Sequence, residues 1–422
     1  LTPSAVSRTL DRIEARLGAR LLLRSTRALT LTAEGQAYLA AARRILADLD
    51  EAEQAIASDP GLKLAEMYMD GRVILEAGNI FDFLSLVRRN GMKKAATLPI
   101  IAREMARIIG TQVRSRLPIN RNLQNVSHHY DLSAKLFDLF LDEDWQYSCA
   151  YFEPQGISLD EAQLAKKRHI AAKLLLEQGN RVLEIGSGWG GLGLYLAEAA
   201  GVDVTGITLS EEQLKVSRDR AARRGLADRV RFELTDYRDL QGQYDRIVSV
   251  GMFEHVGVGN YGNFFDKIAR VLDKKGVMVL HSICRTKPNY TTNAFIEKYI
   301  FPGGYMPSVA EVLPAVEKAG LLIKDIEILP MHYAWTLRAW RERFVARKAE
   351  AVALYDERFF RMWEFYLAVS EVAFRHDRLF IMQLQIARHQ DAVPYDRNYI
   401  ARAEAALKDF EKTRPPLEKV RF

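Results

Sequence analysis

The apolar positions change period along the chain, and the changes mark its organisation. Over residues 6–17, Val6, Leu10, Ile13 and Leu17 recur at helical spacing, with Arg8, Arg12 and Arg16 on another face. Thr2 is placed to cap this helix, Pro3 to open it and Gly18 to end it. Residues 27–32 read as a short wing, and Thr32 caps an Ala-rich helix running to about Ile56. Turn chemistry at Ser58-Asp59-Pro60-Gly61 marks a boundary. Helical patterns return over 62–69, 80–89 and 95–109, and 114–121 is a basic, Pro-containing linker. Residues 125–152 are dense in aromatics, hold His128, His129 and Cys149, and read as a covering loop. A helix over 158–177 carries Lys166, Lys167 and Arg168.

From residue 181 the period alternates between two and 3.6. Strands are expected at 181–185, 202–207, 229–234, 245–250, 276–282 and 321–328, and helices at 191–200, 211–224, 261–272 and 309–319. This alternation is that of an α/β, doubly wound, mostly parallel sheet covered on both faces, Rossmann-like, with helical segments before it. Aromatic helices follow at 332–347 and 355–374, then an antiparallel strand at 380–386 and a charged, solvated helical tail at 396–422. The first of these helices interleaves Tyr333, Trp335, Trp340 and Phe344 with Arg338, Arg341, Arg343 and Arg347, a mixture suited either to a membrane interface or to a core helix with a basic outer face.

Composition narrows the classes. The 422 residues suggest two or three domains, and 48% hydrophobic residues suffice for a sizeable core. A net charge of +6 favours an anionic partner, nucleic acid or an acidic membrane surface. Cys149 and Cys284, the two cysteines, exclude a disulfide framework and a Cys-rich metal site and fit a reducing compartment; no metal is expected. No run of about 18 apolar residues is present to span a bilayer. The chain starts at Leu1 rather than Met, so a fragment or an unusual gene model is expected.

The chemistry centres on residues 182–191. An apolar strand ends in Glu184, and Gly186, Gly188 and Gly190 follow where the backbone must approach a ligand closely. A nicotinamide site wants an acid after the second strand, but that strand ends in Thr208-Leu209-Ser210. The acids stand instead after the first and third strands, at Glu184 and Asp236, which suits S-adenosylmethionine: Glu184 to face its amino group, Asp236 to accept from its adenine. Residues 210–213 form a capping box beside the ribose. The fourth strand runs into Glu254 and His255 and the fifth into His281, so Glu254 and His281 can converge, while His255 and His281 can equally serve only as loop ligands.

Several segments carry a resemblance. "HHYDLSAKLFDLFLD", "YSCAYF", "LEIGSGWGG", "GITLSEEQ", "MFEHVGVGNYGNFF", "LHSI", "YIFPGGYMPS", "HYAWTLRAWRERF" and "EFYLAVSEVAFR", in this order from about residue 65 to 388, resemble the cyclopropane-fatty-acyl-phospholipid and mycolic-acid cyclopropane synthases. Ser187 stands where the family often has Cys. The resemblance implies a class I methyltransferase fold with a seven-stranded sheet, S-adenosylmethionine as methyl donor and bicarbonate as base. It places Cys149, Glu254, His281, the Ile283 backbone and Tyr366 around the bicarbonate. To the cofactor site it adds Tyr147, Ser148, Gly186, Thr208, Gln213, Asp236, Tyr237 and Val250. Cys149 as a nucleophile is the rival reading, and no base is evident beside it. Unsaturated phospholipids become the expected substrate, with a cytoplasmic protein peripheral to the inner membrane surface and room for a homodimer. A methyltransferase leaving a methyl branch is the enzymatic alternative. Residues 1–58 resemble part of a LysR-type winged helix-turn-helix with its linker helix, lacking the first helix such regulators place earlier; sequence-specific DNA binding is therefore not expected, a DNA-binding regulator being the alternative of another class. The implied domains are 1–58, a shortened lipid-binding-like region 59–122, a catalytic domain 123–392 and the tail 393–422.

Overall fold

The computed structural model describes residues 11–24, 29–43, 60–90, 133–288 and 293–414. The cap at Thr2, the helix 95–109, the linker 114–121, His128 and His129 lie outside them. The chain divides into two units, Leu1–Leu64 and Ala65–Phe422.

In the first unit, residues 11–17 are helical and stop at Gly18, whose φ is 63°. The wing is an antiparallel hairpin of β1 (Leu22–Arg24) and β2 (Leu29–Leu31), so it starts earlier than the turn residues suggest. Thr32 Oγ1 accepts from the Gly35 amide at 2.9 Å and opens the helix over 33–43.

The chain continues through α1 (Pro60–Met69), α2 (Ile80–Arg89), α3 (Ala134–Asp138) and α4 (Leu159–Leu174). Then come β3 (Arg181–Ile185), α5 (Gly191–Ala200), β4 (Asp203–Thr208), α6 (Glu211–Arg223), β5 (Val230–Leu234), β6 (Tyr244–Val250), α7 (Tyr261–Val271) and β7 (Leu272–Arg285). The last elements are α8 (Val309–Lys318), β8 (Leu322–Leu329), α9 (His332–Ala346), α10 (Lys348–Leu354), α11 (Glu357–His376), β9 (Leu379–Ala387) and α12 (Asn398–Thr413). The seven strands from β3 to β9 form one sheet in the order β5-β4-β3-β6-β7-β9-β8, in which β9 alone runs antiparallel to its neighbours. Strand alternation feeds two cores. Leu183 and Ile185 pack with Phe264, Ile268 and Val312 on one face, whereas Val182 packs with Ile170, Leu174 and Leu192 on the other. Since β3 is central and the chain reverses direction of travel at β6, the carboxyl ends of β3, β4 and β6 frame the cleft expected of this topology.

Two expectations change, and an open alternative is narrowed. Strand β7 begins at Leu272, pairing once with Tyr244 before a register shift and resuming at Val277, so the Asp-Lys-Lys-Gly stretch is an irregularity within the strand. The tail is not simply solvated: Tyr399 and Ile400 are buried, and Glu404 and Glu411 engage His169 and Arg168 of α4. Helix α9 is a core helix. Trp340 and Phe344 are fully buried and Arg341 is spent on Glu371 at 3.0 Å, whereas Tyr333 and Trp335 are half-buried. Among the described residues no helix is long and apolar enough to cross a bilayer.

Candidate active site

The cleft opens where β3 stops. Gly186 sits at φ 82°, and a Cβ there would stand 2.9 Å from that of Met252, so the turn admits no side chain. The Gly186 and Ser187 amides both donate to the Ile207 carbonyl, at 3.0 and 2.9 Å, tying the loop to β4. Tyr147, Ser148, Glu184, Gly186, Gly188, Thr208, Gln213, Asp236, Tyr237 and Val250 all line this cleft. Gly190 does not. It caps α5 at φ 82° on the far side, where a Cβ would strike Phe232 and Ser217 at 2.8 Å, so its role is packing.

Glu184 is 4% exposed, and burial lifts its carboxyl to about 8, against the Gly193 amide of α5 that donates to it. Its Oε2 is buried without a hydrogen-bond partner. Asp236 is already engaged: Arg238 grips it through Nε and Nη2, both at 2.8 Å. Burial pushes the Asp236 carboxyl up, and the Arg238 hydrogen bonds and charge outweigh that and hold it below the usual range. The expected capping box at α6 is half formed. Ser210 Oγ accepts from the Gln213 amide, but the Gln213 carboxamide turns to accept from Thr208 Oγ1 at 2.8 Å.

Beyond the cleft lies the second group. Adjacent strands β6 and β7 bring Val250 opposite His281, and the short turn Phe253–His255 continues from β6. This turn splits its two polar residues. His255, half-buried, lines the cleft, and loss of hydration lowers its pKa to about 4. Glu254 turns the other way and accepts from the Ile283 amide at 2.6 Å. Burial lifts Glu254 to about 7, the Ile283 bond opposing, and its Oε2 has no partner. His281 Nε2 is likewise buried and unpartnered, while Nδ1 meets Gln383 at 3.2 Å. Cys149 packs with Leu329, Ile381 and Ile283, and Tyr366 shares a 2.9 Å hydrogen bond with Tyr147, which lines the cleft. Burial pushes the Cys149 thiol up, and its Sγ points at the Ala150 carbonyl, so it is no activated nucleophile.

Comparison with known proteins shows the family. Residues 118–384 match the family model of mycolic acid cyclopropane synthetase. The chain belongs to this family. A cyclopropane-fatty-acyl-phospholipid synthase of Escherichia coli (strain K12) is 40% identical over 333 residues, 79% of this chain and 85% of that protein. The tuberculostearic acid methyltransferase UfaA1 of Mycobacterium tuberculosis is 41% identical over 280 residues, 63% of this chain and 65% of that one. A solved structure of mycolic acid cyclopropane synthase CmaA1 complexed with SAH and CTAB is 36% identical, covers 63% of this chain and 97% of its own, and superposes with a TM-score of 0.60. Residues 1–36 match the lysR family of bacterial regulatory helix-turn-helix proteins. As a member of the cyclopropane synthase family, this protein is an S-adenosylmethionine-dependent enzyme, and the cleft at Glu184, with its glycine turn and an unpartnered buried carboxylate oxygen, is the candidate site for that cofactor.

Sequence reasoning missed what lies beneath the cleft. Lys166 of α4 is fully buried and donates to Gln146 Oε1 at 2.8 Å and Ser148 Oγ at 2.7 Å, two cleft-lining residues. Trp145, with φ 55°, sets the bend that aims them. The available signal was a run of lysines set among Ala, Ile and Leu on one helix, which has no solvated face to offer all of them. Among the described residues no cluster of His, Cys, Asp and Glu is arranged to hold a metal.

Proposed function

We propose that this synthase transfers a methylene carbon from S-adenosylmethionine to the cis double bond of unsaturated phospholipid acyl chains at a membrane surface. The observations that carry the reading are that Glu254, held by the Ile283 amide, and His281, two residues before Ile283 on β7, are both buried with an unpartnered polar atom, and that Tyr366 hydrogen-bonds Tyr147 of the cleft. Such atoms are costly unless a polar guest satisfies them, and a small oxyanion with one shareable proton fits an acid poised near neutrality beside an imidazole. When bound, S-adenosylmethionine supplies an electrophilic methyl group and bicarbonate a base.

The chain's own residues supply the rest. Glu184 faces the cationic end of the cofactor, and Tyr147 and Ser148 close over it. Glu254 Oε2 holds or yields a proton at neutral pH, with Oε1 fixed by the Ile283 amide. An alkene is a weak nucleophile, and its attack leaves positive charge on the acyl chain. Aromatic walls exclude water from that charge and offer it their ring faces: Tyr147 stands 5.3 Å from Trp340, and Tyr366 stands 5.2 Å from Trp363 and 6.0 Å from Phe301.

The test is incubation with S-adenosylmethionine and unsaturated phospholipid vesicles, followed by proton spectra of the fatty acids. Upfield cyclopropyl signals are expected. A new methyl branch in their place would establish the second reading, which the 41% identity to a fatty-acid methyltransferase favours. Glu254→Gln should keep cofactor binding and lose turnover by roughly 10²–10⁴-fold; unchanged turnover would defeat the base site.

A further inference from the structure

A chain of hydrogen bonds from five different elements ends at the back of His281. Glu404 of α12 meets His169 Nδ1 at 2.8 Å, and His169 Nε2 meets Glu327 of β8 at 2.6 Å. Glu327 pairs with Lys173 of α4, whose Nζ also donates to Gln383 Oε1 at 3.0 Å. The Gln383 amide nitrogen lies 3.2 Å from His281 Nδ1, across the β7–β9 ladder where the two residues are register partners. Lys173 and Gln383 are fully buried and His281 is 2% exposed, so water does not compete for these bonds.

The chemistry of the donors leaves one arrangement. An ammonium has only protons to give, so the carboxamide must turn its oxygen to Lys173. Its N–H therefore faces the imidazole. That ring is neutral, since burial pushes its pKa far down and the charges of Lys166 and Lys173 push the same way. A neutral imidazole carries one proton, and the nitrogen opposite a donor must be the bare one. We propose that Lys173 and Gln383 act as positioning residues that hold His281 in its Nε2–H tautomer, so that its unpartnered Nε2 presents an N–H donor, and not a base, to the oxyanion proposed at Glu254. This rests on the reading of Glu254 and His281 as the oxyanion site. It gives the proton-accepting role there to the guest and Glu254 and makes His281 a hydrogen-bond donor only.

The tautomer can be read directly. In the full-length protein labelled with [15N]histidine, long-range proton–nitrogen correlations distinguish a protonated from a bare ring nitrogen. The His281 pattern is the one lost in His281→Gln. A bare Nδ1 with a protonated Nε2 is expected; a protonated Nδ1 or an imidazolium overturns the proposal. Lys173→Met frees the carboxamide to flip and should mix the tautomers, while Lys173→Arg, again a pure donor, should restore the single form. Should Lys173→Met fail to fold, Gln383→Glu decides alone. It presents an acceptor to Nδ1, so the proton should move there, and turnover should fall by roughly 10–100-fold with the KM for S-adenosylmethionine unchanged. An unmoved proton in Gln383→Glu overturns the proposal. The spectrum is independent of the product: an enzyme that makes no cyclopropane yet shows the Nε2–H ring removes the proposed function and leaves the tautomer assignment standing.

Discussion

Burial raises the Glu184 carboxyl, and with the cofactor in the cleft as proposed this makes its binding pH-dependent. With its pKa raised from 4.5 to about 8, the unliganded protein at pH 7 carries Glu184 mostly protonated. A cationic amino group arriving beside it favours the carboxylate, so binding expels a proton, and affinity should rise as pH climbs toward 8. Calorimetry in two buffers of different ionisation enthalpy should show close to one proton released, and Glu184→Gln should abolish that release while weakening binding. The same shift has a stability consequence. The folded state binds this proton more tightly than the unfolded state, so stability is fully present below pH 4.5 and is lost as pH rises through about 8, at about 1.4 kcal/mol per pH unit inside that window. In Glu184→Gln that part of the pH dependence should vanish from urea melts. At this scale the acid itself was legible, because an acid before a Gly turn at a strand end has few structural uses. Its protonation was not, since desolvation depends on α5 and the loop of Tyr147 closing over it. Gly190 shows the reverse error: a motif position read as a ligand contact serves the packing of Phe232 and Ser217.

The element whose role the sequence concealed is α4. Its buried residues run nearly the whole way round, including Lys166, Lys167 and Lys173. Each lysine is satisfied from a distant part of the chain. Lys167 reaches Asp144, which also binds Arg220 and Arg224. Burial alone would raise the Asp144 carboxyl, but the Lys167, Arg220 and Arg224 charges hold it well below the usual range. Asp144→Ala would strand these cations in a dry site, and about 3–5 kcal/mol of stability should be lost in denaturant melts. A loss under 1 kcal/mol would show that water reaches the site. Strand and helix positions from β3 onward were legible because period-two and period-3.6 stretches alternate cleanly. The interior of α4 was not, because a lysine at a core position is explained only by its partner, and Asp144 lies 23 residues earlier in sequence. Helix α9 stayed open for a related reason: aromatic and Arg residues look alike at a membrane interface and in a core with paired guanidinium groups, and Glu371 on α11 supplies the partner that Arg341 needs in the core.

At the scale of the whole molecule, all the chemistry belongs to the second unit. The cleft residues run from Trp145 to Val256, and the remaining site residues end at Tyr366. Within that unit, the end of α1 is tied to the catalytic body. Tyr68 donates to Glu364 at 2.7 Å and packs at a tilt against Phe365, Glu66 accepts from Lys298 and Tyr299, and Asp70 pairs with Arg358. Glu364 and Phe365 immediately precede Tyr366 on α11, so α1 braces the residue that reaches Tyr147. Two truncations therefore separate the units. Removing residues 1–43 should leave kcat and the KM for S-adenosylmethionine within about twofold, because no residue of the cleft or of the Glu254 group lies among them. Removing residues 1–70 should lower both stability and turnover, and in the intact chain Tyr68→Phe should reproduce a fraction of that loss, about 1–3 kcal/mol for a hydrogen bond to a charged partner. The lysR-like segment is tested in the same pair: the full chain should bind operator-length DNA no better than scrambled DNA, with equal dependence on salt. Sequence-selective binding lost on removing residues 1–43 would mean that the first unit reads DNA while the second performs chemistry, and the protein would then be bifunctional.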